Sequence, residues 1–340
     1  MADNDFSRWK WLIGGLVGLL VVTCVGCLGA GVVRSGSEAA SEYGDEGDFC
    51  ADDDEGEEVS YLLFRPDGGA LVSVAGNTAR RRDPATGERR GDPLFTQDCP
   101  SALTFSPDGR LLASHGEDSA VHFWDSTTGK PVGPPIPDVP ALDLAFSPDG
   151  KTITDGEGDG IVRQWDVRTR EQLGAPLAAH DDLIFDLAYS PDGRLLATAA
   201  FDDTVRLWDA RTRKPHGAPL TGHQDGVLAV AFSPDGATIY TGDNAGVVRI
   251  WNAATGALRT APIKIDADNA ASLRVSPDGR YFATAGTRGA DLWSAEDGTP
   301  VRGALDEQAE GVTVVAFSPD GTTLATGGHH GDVKVWKLPA

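Results

Sequence analysis

Apolar side chains recur along most of this chain in short bursts, either alternating with polar ones or filling the burst, and turn residues separate the bursts. Ile184-Phe185-Asp186-Leu187-Ala188-Tyr189 alternates and reads as a strand with one face toward a core. Leu195-Leu196-Ala197-Thr198-Ala199 is small and apolar throughout, which suits a strand buried on both faces. Thr204-Val205-Arg206-Leu207-Trp208 alternates again and keeps one wetter face. An Arg211-Thr212-Arg213 turn then leads to a fourth predicted strand near Lys214–Leu220. None of these bursts carries the 3.6-residue period of an amphipathic helix.

The turn between the first two strands is Ser-Pro-Asp-Gly, at Ser106, Ser147, Ser190, Ser233, Ser276 and Ser318. Arg65-Pro66-Asp67-Gly68 is a degenerate copy ahead of them, and successive copies lie 41 to 43 residues apart. Pro presets φ at the first central turn position, Asp suits the second, and Gly supplies the left-handed residue. A constant period of this length marks an array of supersecondary units. The third strand ends in Trp at Trp124, Trp165, Trp208, Trp251, Trp293 and Trp336, with Arg82 in that place in the first unit. Four short strands repeated seven times predict an all-β, seven-bladed β-propeller of four-stranded blades over residues 47–340.

The pairs Trp124-Asp125, Trp165-Asp166 and Trp208-Asp209, with Gly222-His223 in a preceding loop, make the array resemble the WD40-repeat family from roughly Asp45 to Leu338. The resemblance implies a buried structural tetrad at His180, Thr198, Asp202 and Trp208. The fifth unit keeps His223, Thr241 and Trp251 but has Ala245 at the acid position, and units two and three keep Asp118 and Asp159 without the His. Only Lys337-Leu338-Pro339-Ala340 follow Trp336. A closed ring leaves no open edge, so a strand from about 47–53 is expected to complete the last blade.

Residues 1–10 form a short leading segment, and Trp11 to Val33 is an uninterrupted apolar run. At a rise of about 1.5 Å per residue it is long enough for a transmembrane helix across a hydrocarbon core of about 30 Å. Arg8 and Lys10 precede it and Arg34 follows, which favours a cytoplasmic N-terminus and an extracytoplasmic propeller on a single-pass membrane protein. A lipoprotein acylated at Cys27 and a cleaved signal peptide are the alternatives, and both also place the array outside the cytoplasm. Residues 34–46 open an acidic linker. Between Ser35 and Ser60 lie eleven acidic residues and no basic one, half of the net charge of −22. Such a stretch self-repels and reads as an extended spacer, with calcium binding by Asp52–Glu58 as a sharper alternative. Cys50 and Cys99 flank the first unit and could pair in an oxidising compartment.

The acidic balance argues against a nucleic-acid partner. No Gly-rich loop follows a strand and opens a helix, so a phosphate cradle is excluded. Asp155-Gly156-Glu157-Gly158-Asp159-Gly160 resembles the start of a calcium loop but falls on an inter-strand turn. His329-His330 occupies the same turn of the last unit and reads as a surface contact. No cofactor or metal is expected. The resemblance places partner contacts on the top face, at the start of each first strand and in the turn before each third strand. That register gives Leu142, Phe185 and Leu228 in the first set, with Phe201, Asn244 and His329 in the second. The chain thus reads as a non-enzymatic, membrane-tethered scaffold that binds a protein or peptide. An extracytoplasmic propeller hydrolase or lactonase and a ligand-sensing envelope protein are the alternatives.

Overall fold

Each Ser-Pro-Asp-Gly folds into a closed hydrogen-bonded box, which explains why all four letters return. In the fourth unit Ser190 Oγ donates to Asp192 Oδ1 at 2.7 Å and accepts the Leu195 N–H at 2.9 Å. Asp192 Oδ1 also accepts the Arg194 N–H at 3.0 Å, and the Gly193 N–H donates to the Ser190 carbonyl at 2.8 Å with φ of 70°. A side chain at Gly193 would be strained in that left-handed conformation. In the first unit Arg65 replaces the hydroxyl and its Nε donates to Asp67 Oδ1 at 2.7 Å.

The computed structural model describes residues 58–265, 269–286, 289–301, 305 and 311–339. The membrane helix expected at 11–33, the linker at 34–46 and the closing strand at 47–53 all lie outside them. Among the described residues no helix is long and apolar enough to cross a membrane. The chain folds into seven antiparallel sheets, one per repeat. Three strands are common to all of them, as in Ile184–Tyr189, Leu195–Ala200 and Val205–Asp209 of sheet four.

The expectation of four short strands per unit is met in three sheets among the described residues. Sheets one, three and five have a fourth strand of two residues, Phe95–Thr96, Leu177–Ala178 and Ile263–Lys264. In sheets two, four and six the described part of the outer segment makes isolated bridges, such as Val121 with Ile136, Val205 with Leu220 and Trp293 with Pro300. Proline does not separate the two outcomes, since Pro176 and Pro262 precede the strands of sheets three and five just as Pro135 and Pro219 precede the bridges of sheets two and four.

The innermost strands pack side by side in chain order, and the first of them, Val59–Phe64, also packs on the last, Val312–Phe317. The array is therefore closed and propeller-like. Its seam buries Val59, Leu62 and Leu71 against Val314, Ala316 and Ala325. Arg82 braces this seam from the place where the other units have Trp. Its Nε donates to Ser73 Oγ at 2.6 Å, Nη1 to the Gly87 carbonyl at 3.1 Å and Nη2 to the Gly331 carbonyl at 3.0 Å. The degenerate residue thus does two jobs. It satisfies the hydroxyl that Trp would meet, and it reaches the last unit.

Candidate partner-binding face

The four residues His180, Thr198, Asp202 and Trp208 meet. His180 Nδ1 lies 3.0 Å from Asp202 Oδ2, its Nε2 lies 2.6 Å from Thr198 Oγ1, and the Trp208 indole donates to the same hydroxyl at 3.1 Å. The carboxylate fixes the proton on Nδ1, so Nε2 accepts from Thr198 and the ring is neutral. Burial pushes the ring below its ordinary titration range, against the pull of Asp202. Every member has a partner, and such a network rigidifies the unit that holds it.

A second network of the same kind stands in sheet five, which corrects the expectation of one. His223 pairs with Asp243 at 2.7 Å and with Thr241 at 2.6 Å, and Trp251 donates to Thr241 at 2.9 Å. The acid comes from Asp243, two residues before the Ala245 that register singles out. In units two, six and seven the indole finds Ser114, Thr284 and Thr326. Sheet three differs: Trp165 donates to a carboxylate, Asp155, which is fully buried beside Glu157 and Arg163. Burial, against the Trp165 hydrogen bond and the Arg163 charge, raises Asp155 to about 7. Among the described residues no group of three or more His, Cys, Asp or Glu could hold a metal. Asp166, the other acid of the calcium-like pattern, accepts the N–H groups of Arg168 and Thr169 and shapes a turn.

Sequence reasoning missed the polar residues of the inner strands. Asp143 Oδ2 accepts the Leu187 N–H at 2.8 Å, and Asp186 Oδ2 accepts the Val230 N–H at 2.7 Å. Each carboxyl therefore ties its sheet to the next. Burial, with repulsion from Asp186, pushes Asp143 well above the carboxylate range, and the pair lies near Tyr61 and Arg274. Asp is an ordinary residue near a strand turn, and no local pattern marks these two as neighbours.

The top end carries the inter-strand turns before each third strand and the loops between sheets. Five inner strands have a register shift there, at Ser60, Leu142, Phe185, Leu228 and Thr313. A bulge re-aims the side chain it carries. Phe185 and Phe201 are partly exposed and lie 5.7 Å apart between ring centroids, tilted by 55°. The Phe201 N–H donates to the Leu183 carbonyl at 2.9 Å. Phe201 also lies so close over Gly226 that a Cβ there would come within 2.1 Å of its ring. Leu142 and Leu183 approach each other across Gly158, at 3.9 and 3.2 Å from where its Cβ would sit. Leu142, Leu183, Phe185 and Phe201 thus form one partly exposed apolar patch over sheets three and four. Register does not point to Leu183, because it precedes the strand whose alternation carries the reading.

Three expected contacts are placed differently. Leu228 is only 5% exposed, because Val227–Val230 is buried on both faces of its strand, and it does not present a surface. Asn244 braces its own loop, donating from its amide to Asp225 at 3.1 Å and from its backbone to Gly226. His329 opens a short 3-10 turn, His329–Gly331, and its ring lies 3.2 Å from Glu58. It ties the entering chain to the last unit. At the opposite end a groove of about 730 Å³ runs between sheets three and four, past Pro148, Tyr189 and Arg213. Two of its polar side chains are engaged within the fold: Tyr189 bonds Thr154 and Gln164, and Arg213 donates to the carbonyls of Leu173 and Ala175.

Cys99 is disulfide-bonded. Cys50, the expected other half of the pair, lies outside the described residues. No curated protein matches the chain. The family described as WD domain, G-beta repeat, matches residues 93–125, 138–166, 171–209, 215–252 and 300–337, together just over half of the chain. The two Trp-centred networks fall within those segments. The chain belongs to the WD40-repeat family.

Proposed function

We propose that this protein is a non-enzymatic scaffold that captures a protein or peptide partner on its top face. It is a seven-bladed propeller over residues 47–340, held outside the cytoplasm by a single-pass helix at 11–33 and an acidic spacer at 34–46. WD40 repeats generally mediate protein–protein interaction. The observation that carries the reading is the apolar patch of Leu142, Leu183, Phe185 and Phe201. Partly exposed aromatic side chains on a rigid scaffold are suited to be hot spots. The strong polar constellations elsewhere are occupied within the fold: the two His networks brace their sheets, and Asp143 and Asp186 join theirs. The disulfide at Cys99 supports an oxidising compartment.

Crosslinked pull-down from intact cells tests the reading, comparing wild type with Phe185→Ser/Phe201→Ser. Loss of a captured partner with little change in melting temperature is expected. Undiminished capture overturns the reading. Protease access to the array in intact cells and in lysed cells tests its orientation.

A further inference from the structure

Charge is distributed unevenly between the two ends of the array. At the Pro-Asp-Gly end acids and bases alternate and neutralise one another: Arg65 with Asp67, Lys151 with Asp149, Arg280 with Asp278. The top end of sheets two to five is weighted toward acids, and among its exposed acids Asp118 has a basic neighbour in His122. Its turns and loops present Glu117, Asp118, Asp138, Asp159, Asp181 and Asp182 as exposed acids, with Asp202, Asp203 and Asp225 partly exposed. The arginines nearest this end are turned to the fold. Arg163 pairs with buried Glu157, Arg249 donates to the Gly222 carbonyl, and Arg206 lies beside His180. The exposed lysine at the sheet-five turn, Lys264, donates to the Ala245 carbonyl. Partial burial, with repulsion from Asp225 and Asp202, raises the Asp203 carboxyl above its ordinary range. The apolar patch therefore sits inside an electronegative field.

We propose that the top face takes a cationic segment of a partner protein, one that carries lysines or arginines around an apolar side chain. The apolar side chain seats on Leu183, Phe185 and Phe201, and its cationic neighbours meet Asp181, Asp182 and Asp203. The proposal rests on the top-face reading above and adds the chemistry of the partner. Charge complementarity selects the occupant. An acidic segment of this chain, such as the stretch before Ser60, is repelled from the same field. So is the top face of a second copy, which presents the same exposed acids. An anionic membrane surface is repelled as well. A cationic segment is drawn in, with faster association and a steep dependence on salt.

The test uses the full-length protein and a displayed library of random dodecapeptides. Selected peptides are then measured on wild type, on Asp181→Asn/Asp182→Asn/Asp203→Asn and on Phe185→Ser/Phe201→Ser. Asn keeps the Asp182 acceptor that holds the Leu183 N–H at 2.8 Å, and it tolerates the positive φ of Asp203. Enrichment of net-positive peptides bearing an apolar residue is expected. Their affinity should fall by roughly tenfold in the triple Asn variant, and also on raising salt from about 50 to about 300 mM. Enrichment of neutral or acidic peptides, no enrichment, self-association of the chain through this face, or unchanged affinity in the Asn variant would each overturn the proposal.

The cell pull-down separates the two levels of the argument. If capture is lost with the Phe variant but kept with the Asn variant, the cationic partner is wrong and the apolar face stands. If both variants capture normally, the top-face reading itself falls.

Discussion

The substitution Asp155→Thr gives sheet three the hydroxyl that Trp208 and Trp251 meet in sheets four and five. In the wild type, sheet three buries two carboxyls, Asp155 and Glu157, against the single guanidinium of Arg163. Asp155 titrates at about 7 in the fold against an ordinary value of 3.8. Between those two values the folded chain keeps a proton that the unfolded chain has lost. Stability attached to this group is therefore present at low pH and removed as pH rises from about 4 to about 7. That interval, at about 1.4 kcal/mol per pH unit, sets an upper limit of about 4 kcal/mol at pH 8. A threonine carries no such penalty and still accepts the Trp165 indole. The variant should melt near wild type at pH 5 and up to roughly 5–10 °C higher at pH 8. Differential scanning calorimetry of both proteins across that range measures the difference. A difference in Tm that does not grow with pH, or a variant that is less stable at pH 8, would refute the reasoning.

Other changes probe separate links. Thr198→Val removes the hydroxyl between His180 and Trp208, leaves both without that partner, and should cost about 2–4 kcal/mol in chemical denaturation. Partner capture by the remaining folded protein should persist, since none of the three forms the patch. Gly226→Ala sets a Cβ against Phe201 and should displace that ring, so partner affinity should drop at a stability cost of about 1–3 kcal/mol. Arg82→Met removes three donors at the seam of the first and last units and should speed hydrogen exchange there first, in Val59–Phe64 and Val312–Phe317. Reduction of the disulfide at Cys99 should lower stability by about 2–4 kcal/mol; an unchanged melting curve under reductant would contradict that.

The array was legible because its turn is chemically over-determined. Ser, Pro, Asp and Gly each perform a distinct act in a box such as Ser190–Gly193, so the spacing counts units directly. The outer strands were less legible, since the same Pro-apolar text precedes a two-residue strand at Leu177–Ala178 and a lone bridge at Leu220. At the site, Phe185 and Phe201 could be placed from register because they occupy fixed points of one repeat. Leu228 has the same register position, yet its strand is apolar on both faces and buries it. Asp243 was missed for a different reason. The acid partner of a histidine is set by what Nδ1 can reach, and the end of the second strand offers carboxylates from two positions. Asp143 and Asp186 meet only because neighbouring repeats fold side by side, a proximity that no single repeat records.

A photocrosslinking amino acid placed at Leu183, and separately at Pro148 on the opposite end, tests the central claim most directly. Both variants are irradiated in intact cells, and their adducts are identified by mass spectrometry. The account predicts a discrete partner adduct from position 183, formed through a segment rich in lysine or arginine, and none from position 148. Adducts from position 148 alone, or equal adducts from both ends, would contradict it.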